Sequence, residues 1–142
     1  MKKYVIALLM IAAISFSRCK KDDKNDKKLT STIVGKWFII KDVESNFIND
    51  VKKEEHTDDE FTAEDYYEFK SNGTGVFSEV GDSDSFTYKV TGTTITITEN
   101  PNESYELEIK NLNGNDAIFI KEFIENFEGV DYKTITEMTV KK

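Results

Sequence analysis

Short runs in which apolar and polar residues alternate occupy the chain from about residue 33 onward, and they limit the possible folds more than any other feature. In residues 104–112, for example, Tyr105, Leu107 and Ile109 alternate with charged residues. A repeat of two is the repeat of a β-strand with one buried face. The sequence therefore predicts an all-β domain.

Eight strands are predicted, and most of them are separated only by short turns rich in Gly, Asn and Asp. They lie at residues 33–43, 65–70, 74–80, 85–90, 93–99, 104–112, 116–123 and 131–140. Short turns make neighbouring strands antiparallel and adjacent, so the topology is a meander. We expect an eight-stranded antiparallel up-and-down barrel, because closure removes the exposed edges. A two-sheet sandwich is the alternative, but it usually needs more long crossovers than the single one present.

That single long connection, residues 44–64, is acidic and contains few large apolar residues. We expect it to form a long loop, with at most a helical turn or two, across one end of the barrel. Its acidic residues come in adjacent pairs, an arrangement that is far more often a solvated surface than a pair of catalytic carboxylates.

The N-terminus has the pattern of a secretory signal. Two lysines precede the apolar run 4–14, which is too short to span a bilayer as a helix. The run leads to Cys19, the only cysteine, and the whole stretch resembles a bacterial lipoprotein signal. The resemblance implies that residues 1–18 are removed and that Cys19 carries fatty acids such as palmitate, although Arg18 departs from the small residue usual before the Cys. The alternatives are a spare thiol at Cys19 and an uncleaved N-terminal anchor.

Residues 19–31 are predicted to be a charged, solvated tether between the lipid and the domain, which is placed at residues 32–142. The run Cys-Lys-Lys-Asp-Asp at its start resembles the beginning of many Bacteroidetes lipoproteins. That resemblance implies an outer-membrane protein, lipid-anchored and displayed on the cell surface. A plain spacer on a periplasmic protein is the alternative.

A family resemblance appears in the predicted barrel. Gly35-Lys36-Trp37 looks like the Gly-x-Trp that opens lipocalin-type barrels, and residues 67–75 and 87–97 resemble the lipocalin-like domains of Bacteroidetes lipoproteins. The resemblance implies that Gly35 and Trp37 form a structural plug at one end, with a basic residue, Lys133 or Lys141, packed on the Trp ring. It also implies that segment 44–64 is a lid over the other end.

The alternation points several bulky side chains into the lumen, where an apolar ligand would meet a few polar groups. The candidate ligand-binding residues are Tyr67, Phe69, Phe86, Tyr88, Tyr105 and Leu107. We expect a small apolar or amphipathic ligand. The alternative is that these side chains simply fill the lumen, which would leave a structural or interaction module that recognises a partner protein or glycan through its acidic loop.

No catalytic constellation is present in the sequence. His56 is the only histidine, Cys19 belongs to the anchor, and no phosphate-binding Gly loop occurs. We considered divalent-metal binding by His56 with residues 58–60, and by residues 82–84, but neither has the ligand spacing of a calcium loop. We therefore expect no enzyme, cofactor or metal. The net charge of −8 argues against nucleic acid as a partner.

Overall fold

The computed structural model describes residues 23–142, with side chains from residue 28 onward. The predicted signal peptide, the lipidation at Cys19 and the first residues of the tether lie outside the described residues. Among residues 23–142, no helix has the length and apolar character needed to cross a membrane. The elements are α1 (Asp23–Ile33), β1 (Gly35–Ile48), β2 (Val51–Asp58), β3 (Tyr66–Phe69), β4 (Thr74–Glu79), β5 (Asp82–Thr91), β6 (Thr94–Asn100), β7 (Glu103–Asn113), β8 (Asp116–Phe127) and β9 (Val130–Lys141).

The strands form one antiparallel meander that closes on itself. β1 pairs with β3, each strand from β3 to β9 pairs with the next, and β9 pairs with β1. The predicted eight-stranded up-and-down barrel is therefore confirmed, built from β1 and β3–β9. Closure gives every barrel strand two neighbours over part of its length, as the predicted alternation requires.

The segment predicted to be a long loop is instead mostly a β-hairpin, so that prediction is wrong. β1 continues to Ile48, turns at Asn49 and Asp50, and pairs with β2 back to Asp58. Every residue of β2 is exposed. A strand exposed on both faces needs no apolar alternation, and this is why the sequence pattern did not identify it. Only residues 59–65 connect β2 to β3, and among them Phe61 is half-buried and packs against the core.

The β1–β2 hairpin belongs to a four-stranded sheet that projects beyond the barrel. β3 pairs with β1 only at Gly35–Phe38, and β7 pairs with β8 only as far as Lys121. Beyond those points the strand order is β2-β1-β9-β8, built from residues 42–48, 51–58, 122–127 and 130–136. We call this sheet the extension and the part where all eight strands pair the barrel body.

Packed aromatic side chains fill the barrel body. Phe119 is fully buried, and its ring lies 5.8 Å from that of Trp37, 5.9 Å from Tyr67 and 6.1 Å from Phe69. Gly75 makes room for this packing, because a Cβ there would lie 2.3 Å from the Phe86 ring. The lumen is thus occupied by its own side chains at this level.

Helix α1 covers the end of the barrel body opposite the extension. Leu29 and Ile33 are buried there in the same cluster as the lumen residues. The helix begins inside the segment predicted to be a solvated tether, and the buried Leu29 places the domain boundary before the predicted residue 32. We call this covered end the closed end and the opposite one the open end.

One irregularity in β1 decides which residues face the lumen. Ile39 pairs with Val140 and Lys41 with Thr139, so Ile40 is an extra residue without a partner on β9. Before this bulge the odd residues Trp37 and Ile39 point inward. After it the even residues do, starting with Asp42, which lies opposite the buried Met138.

Candidate functional site

Trp37 lies at the closed end, fully buried beneath α1. Its indole Nε1 donates a hydrogen bond of 2.7 Å to the carbonyl oxygen of Ile33, which satisfies one of the free carbonyls at the end of the helix. Gly35, two residues earlier, has a φ of +130°, a conformation that side chains other than hydrogen rarely adopt. Both residues lie at the closed end, at the start of β1.

The cation on Trp37 is Lys142, not Lys133 or Lys141 as predicted. Lys142 Nζ lies 4.8 Å from the centroid of the Trp37 ring and donates a 2.7 Å hydrogen bond to the carbonyl oxygen of Thr32. Lys133 lies in the extension, where its Nζ is 2.5 Å from Asp50 Oδ1, and Lys141 lies near Asp116. This assignment depends on the β-bulge at Ile40 and on the residue at which β9 ends. The alternation of apolar and polar residues predicts neither of them.

The six candidate ligand residues lie at three levels of the barrel. All six belong to the core or pack against it, but Tyr88 and Tyr105 are only half-buried. Tyr88 donates its hydroxyl proton to the carbonyl oxygen of Lys70 at 2.8 Å, at the closed end. Phe69, Phe86 and Leu107 are buried in the packed lumen. Tyr67 and Tyr105 lie nearest the open end, each one or two residues from the start of its strand.

Tyr67, Tyr105 and Lys121 lie at the upper end of the packed lumen, where Tyr67 is buried and Tyr105 half-buried. Burial raises the pKa of Tyr67 to about 12, and the hydrogen bond from Tyr105 opposes that rise. Burial also raises the pKa of Tyr105, and its contacts with Tyr67 and Glu99 act in the same direction. Lys121 Nζ lies 4.0 Å from the centroid of the Tyr105 ring. Two neutral hydroxyls and one ammonium group are therefore gathered at the level where the closed lumen ends.

Above this level, the inner face of the extension continues the wall of the barrel. Cross-strand partners share a face. One row of partners across β8, β9, β1 and β2 contains Phe119, Met138, Asp42 and Asp58. The next row on the same face, toward the tip of the extension, contains Lys121, Thr136, Glu44 and His56. Two cavities lie along this face. One of about 550 Å³ is lined mainly by acidic residues, among them Asp42, Glu44, Glu54 and Asp58. The other, of about 430 Å³, adjoins it at Asn46 and Glu54 toward the tip, and it is lined by Ile48 and Tyr132 of this face and by Phe47 and Lys133 of the opposite face.

Neighbouring carboxylates repel one another on the acidic part of this face. The pKa of Asp42 is raised, first by burial and then by the negative charges of Asp58 and Glu44. Asn46 relieves some of the crowding, because its Nδ2 donates to Glu44 Oε1 at 3.1 Å and its Oδ1 accepts from Thr134 Oγ1 at 2.7 Å. The face thus presents carboxylates at the barrel mouth and apolar groups toward the tip of the extension.

Asp65 is a buried carboxylate that alternation did not single out. It accepts hydrogen bonds from the Thr62 amide at 2.7 Å, the Thr62 hydroxyl at 3.0 Å and the Val80 amide at 2.9 Å. The two amide hydrogen bonds hold its pKa below the usual range. Asp65 thereby ties the segment before β3 to the β4–β5 turn at the open end. The Thr-x-x-Asp spacing from Thr62 was its only sequence signal.

His56 lies in β2 opposite Glu44, on the acidic inner face. Within residues 23–142, no three His, Cys, Asp or Glu side chains are grouped closely enough to hold a metal ion. Residues 82–84, the second metal candidate considered, form the exposed start of β5.

Comparisons with known proteins agree with this architecture. Residues 33–116 match the family model described as a lipocalin-like domain. No curated protein and no solved structure matches the chain significantly. The match covers more than half of the chain, including Trp37, the upper lumen residues Tyr67 and Tyr105, and seven complete strands from β1 to β7. On this match and on its closed eight-stranded meander, the chain belongs to the family of lipocalin-like domains.

Proposed function

We propose that this protein is a lipid-anchored envelope lipoprotein whose barrel binds a small apolar or amphipathic molecule at the open end. The observation that carries the proposal is the pair of adjoining cavities on the extension, one on its inner face and the other toward its tip. Small-molecule sites are concave and combine apolar walls with a few polar groups. This face offers such a combination outside the filled lumen.

Each part of the face has a separate role in the proposed site. Ile48 and Tyr132 supply apolar contact, and the Tyr105 hydroxyl and the Lys121 ammonium are the polar groups at the floor. The carboxylates of Asp42 and Glu44 favour a ligand whose polar end donates hydrogen bonds. Phe69, Phe86 and Leu107 would then support the floor without touching the ligand.

Native mass spectrometry of protein purified from its own cells tests the binding proposal. We expect a retained small molecule, and repeated recovery of bare protein would contradict the proposal. The position of the site has its own readout, since Trp37 is the only tryptophan and lies at the closed end. Adding the recovered ligand should leave Trp37 fluorescence unchanged. A large change in Trp37 emission would instead place the ligand next to Trp37.

The anchoring proposal rests on the lipoprotein-like signal before Cys19 and on the position of α1. This helix starts at Asp23, a few residues after Cys19, and lies at the closed end. An anchor at Cys19 would therefore turn the open end away from the membrane. Replacing Cys19 with Ala should move the protein from the membrane fraction to the soluble fraction, whereas Asn25→Ala in the same segment should not. Unchanged membrane association of the Cys19 variant would contradict the anchor.

A second candidate function is that of a structural or interaction module with a solid core. The packed rings of Tyr67, Phe69 and Phe119 favour it, because they leave no room for a ligand at their level. In that case the acidic β1–β2 hairpin would contact a partner protein or glycan. Bare protein in the mass spectrum, together with an unchanged fold, is the result that would favour this candidate.

A further inference from the structure

The extension has two outer edges, and they differ sharply in chemistry. β2 forms one edge, and of its eight residues only Val51 is a large hydrophobic; Lys52, Lys53, Glu54 and Glu55 follow directly. Charged residues, lysine above all, are the usual protection of a free edge against pairing with another chain. The β2 edge is protected in this way.

Residues 122–127 of β8 form the other edge, which has no lysine and combines two glutamates with three large apolar residues. β7 leaves β8 at Lys121, so these residues pair with β9 on one side and with no strand of residues 23–142 on the other. Phe123, Ile124 and Phe127 are 59%, 59% and 61% exposed. Phe123 and Phe127 lie on the inner face and Ile124 on the outer face, so both faces of this edge present large apolar groups.

We infer that this β8 edge docks an extended segment of a partner protein, which adds a strand to the extension. The free main-chain groups of an edge strand give such a segment its hydrogen bonds, and exposed apolar side chains give it contact area. This site is separate from the proposed ligand site and does not depend on it.

Charge around the edge determines the chemistry of the partner. A groove of about 540 Å³ lies beside it on the outer surface, lined by Ile120 and Ile124 together with Glu106, Glu108 and Glu122. Glu125 lies on the inner face of the same edge, so both faces of the edge carry negative charge. The segment that fits this edge alternates apolar and basic side chains.

A second copy of the chain fits less well. Two β8 edges paired antiparallel would bring Glu122 and Glu125 of one copy close to those of the other, and like charges on paired strands are destabilising. The net charge of −8 adds a general repulsion between copies. Charge complementarity therefore favours a basic partner over self-association.

A set of synthetic octapeptides tests the inference, each alternating Lys with Val, Ile, Phe or Tyr. Each peptide is compared with a version N-methylated at alternate amides and with a version carrying Glu in place of Lys. NMR spectra of the ¹⁵N-labelled protein should show that at least one Lys peptide shifts the amide resonances of residues 122–127. N-methylation removes the main-chain donors, so it should weaken binding at least tenfold, as should Glu for Lys.

Ile124→Lys gives the matched test on the protein side. Ile124 is largely exposed, so the change should leave the fold intact while it repels the basic peptide and weakens binding at least tenfold. Val51→Lys makes the same change at a similarly exposed residue, 55%, on the β2 edge, and should have no effect.

Three results would overturn the inference. One is that no peptide of the set shifts residues 122–127. Another is that the N-methylated peptide binds as tightly as the unmodified one, because contact would then not involve strand addition. The last is a dimer of the protein alone that Ile124→Lys abolishes, which would make the edge an interface between copies of this chain.

Discussion

Phe119 and Phe123 lie in the same strand, β8, and on the same face of the sheet, yet their surroundings are opposite. Phe119 is fully buried between Trp37, Tyr67 and Phe69, whereas Phe123 is 59% exposed on the extension. Between them β7 leaves β8, and the barrel wall becomes an open sheet. The same residue type therefore stabilises the fold at one position and remains available for contact at the other.

The largest expected effect is in the barrel body. Phe119→Ala removes a ring that contacts three other aromatic rings, and the surrounding packing cannot collapse fully around the gap. We expect the free energy of unfolding to fall by about 3–5 kcal/mol. Chemical denaturation followed by far-UV circular dichroism measures the change. A loss below about 1 kcal/mol would show that the lumen is loosely packed.

A smaller effect is expected at Asp65, which joins the segment before β3 to the β4–β5 turn at the open end. Asp65→Asn places an amide where three donors need an acceptor, so we expect a loss of about 2 kcal/mol, measured by denaturation at pH 7. Glu64→Gln, at the exposed neighbouring carboxylate, serves as control and should change stability by less than about 0.5 kcal/mol.

Asp65 also has an expected pH signature. Its pKa is lower in the folded state than the ordinary 3.8. The stability that it contributes is therefore complete above pH about 4 and is lost as the pH falls through the folded pKa. The stability of the original protein should decline in this acid range more steeply than that of Asp65→Asn. Parallel curves would contradict the assigned role.

The next effect is expected at the closed end. Lys142→Met keeps most of the side chain but removes the ammonium that contacts the Trp37 ring and the Thr32 carbonyl. We expect a loss of about 1 kcal/mol and a change in Trp37 emission. Lys141→Met alters an exposed ion pair and should do neither. Equal effects of the two variants would contradict the assignment of Lys142.

The smallest effect is expected at Phe123. Phe123→Ala removes a ring that is mostly in water, so the free energy of unfolding should change by less than about 0.5 kcal/mol. Denaturation under the conditions used for Phe119→Ala makes the two values directly comparable. A loss similar to that of Phe119→Ala would mean that the extension is part of the core.

The sequence predicted the barrel body better than the extension, for a physical reason. In the barrel body one face is buried, so alternation marks residues such as Leu107 and Ile109 without ambiguity. In the extension both faces meet water, and the eight residues of β2 carry almost no apolar signal. Alternation of apolar and polar residues reflects one buried face, so the sequence of a strand with no buried face resembles that of a loop.

The site was predicted only in part for related reasons. Tyr67 and Tyr105 were identified as inward-facing because they share the alternation of their strands. Lys142 and Asp65 were missed because their roles depend on contacts between distant segments, with Thr32 and with Val80. Leu29 was missed because it is a single apolar residue beside a charged run, and only the position of α1 over the barrel makes it part of the core.

The bulge at Ile40 determines which side chains of β1 line the mouth of the barrel at its open end. If Ile40 instead took a regular place opposite Thr139, the remainder of β1 would shift by one position against β9, so that Lys41 and Val43 would face inward in place of Asp42 and Glu44. The mouth would then exchange two carboxylates for one ammonium and one apolar group without any substitution. A shift in register of a single residue can therefore reverse the charge preference of this opening while the barrel beneath it stays the same.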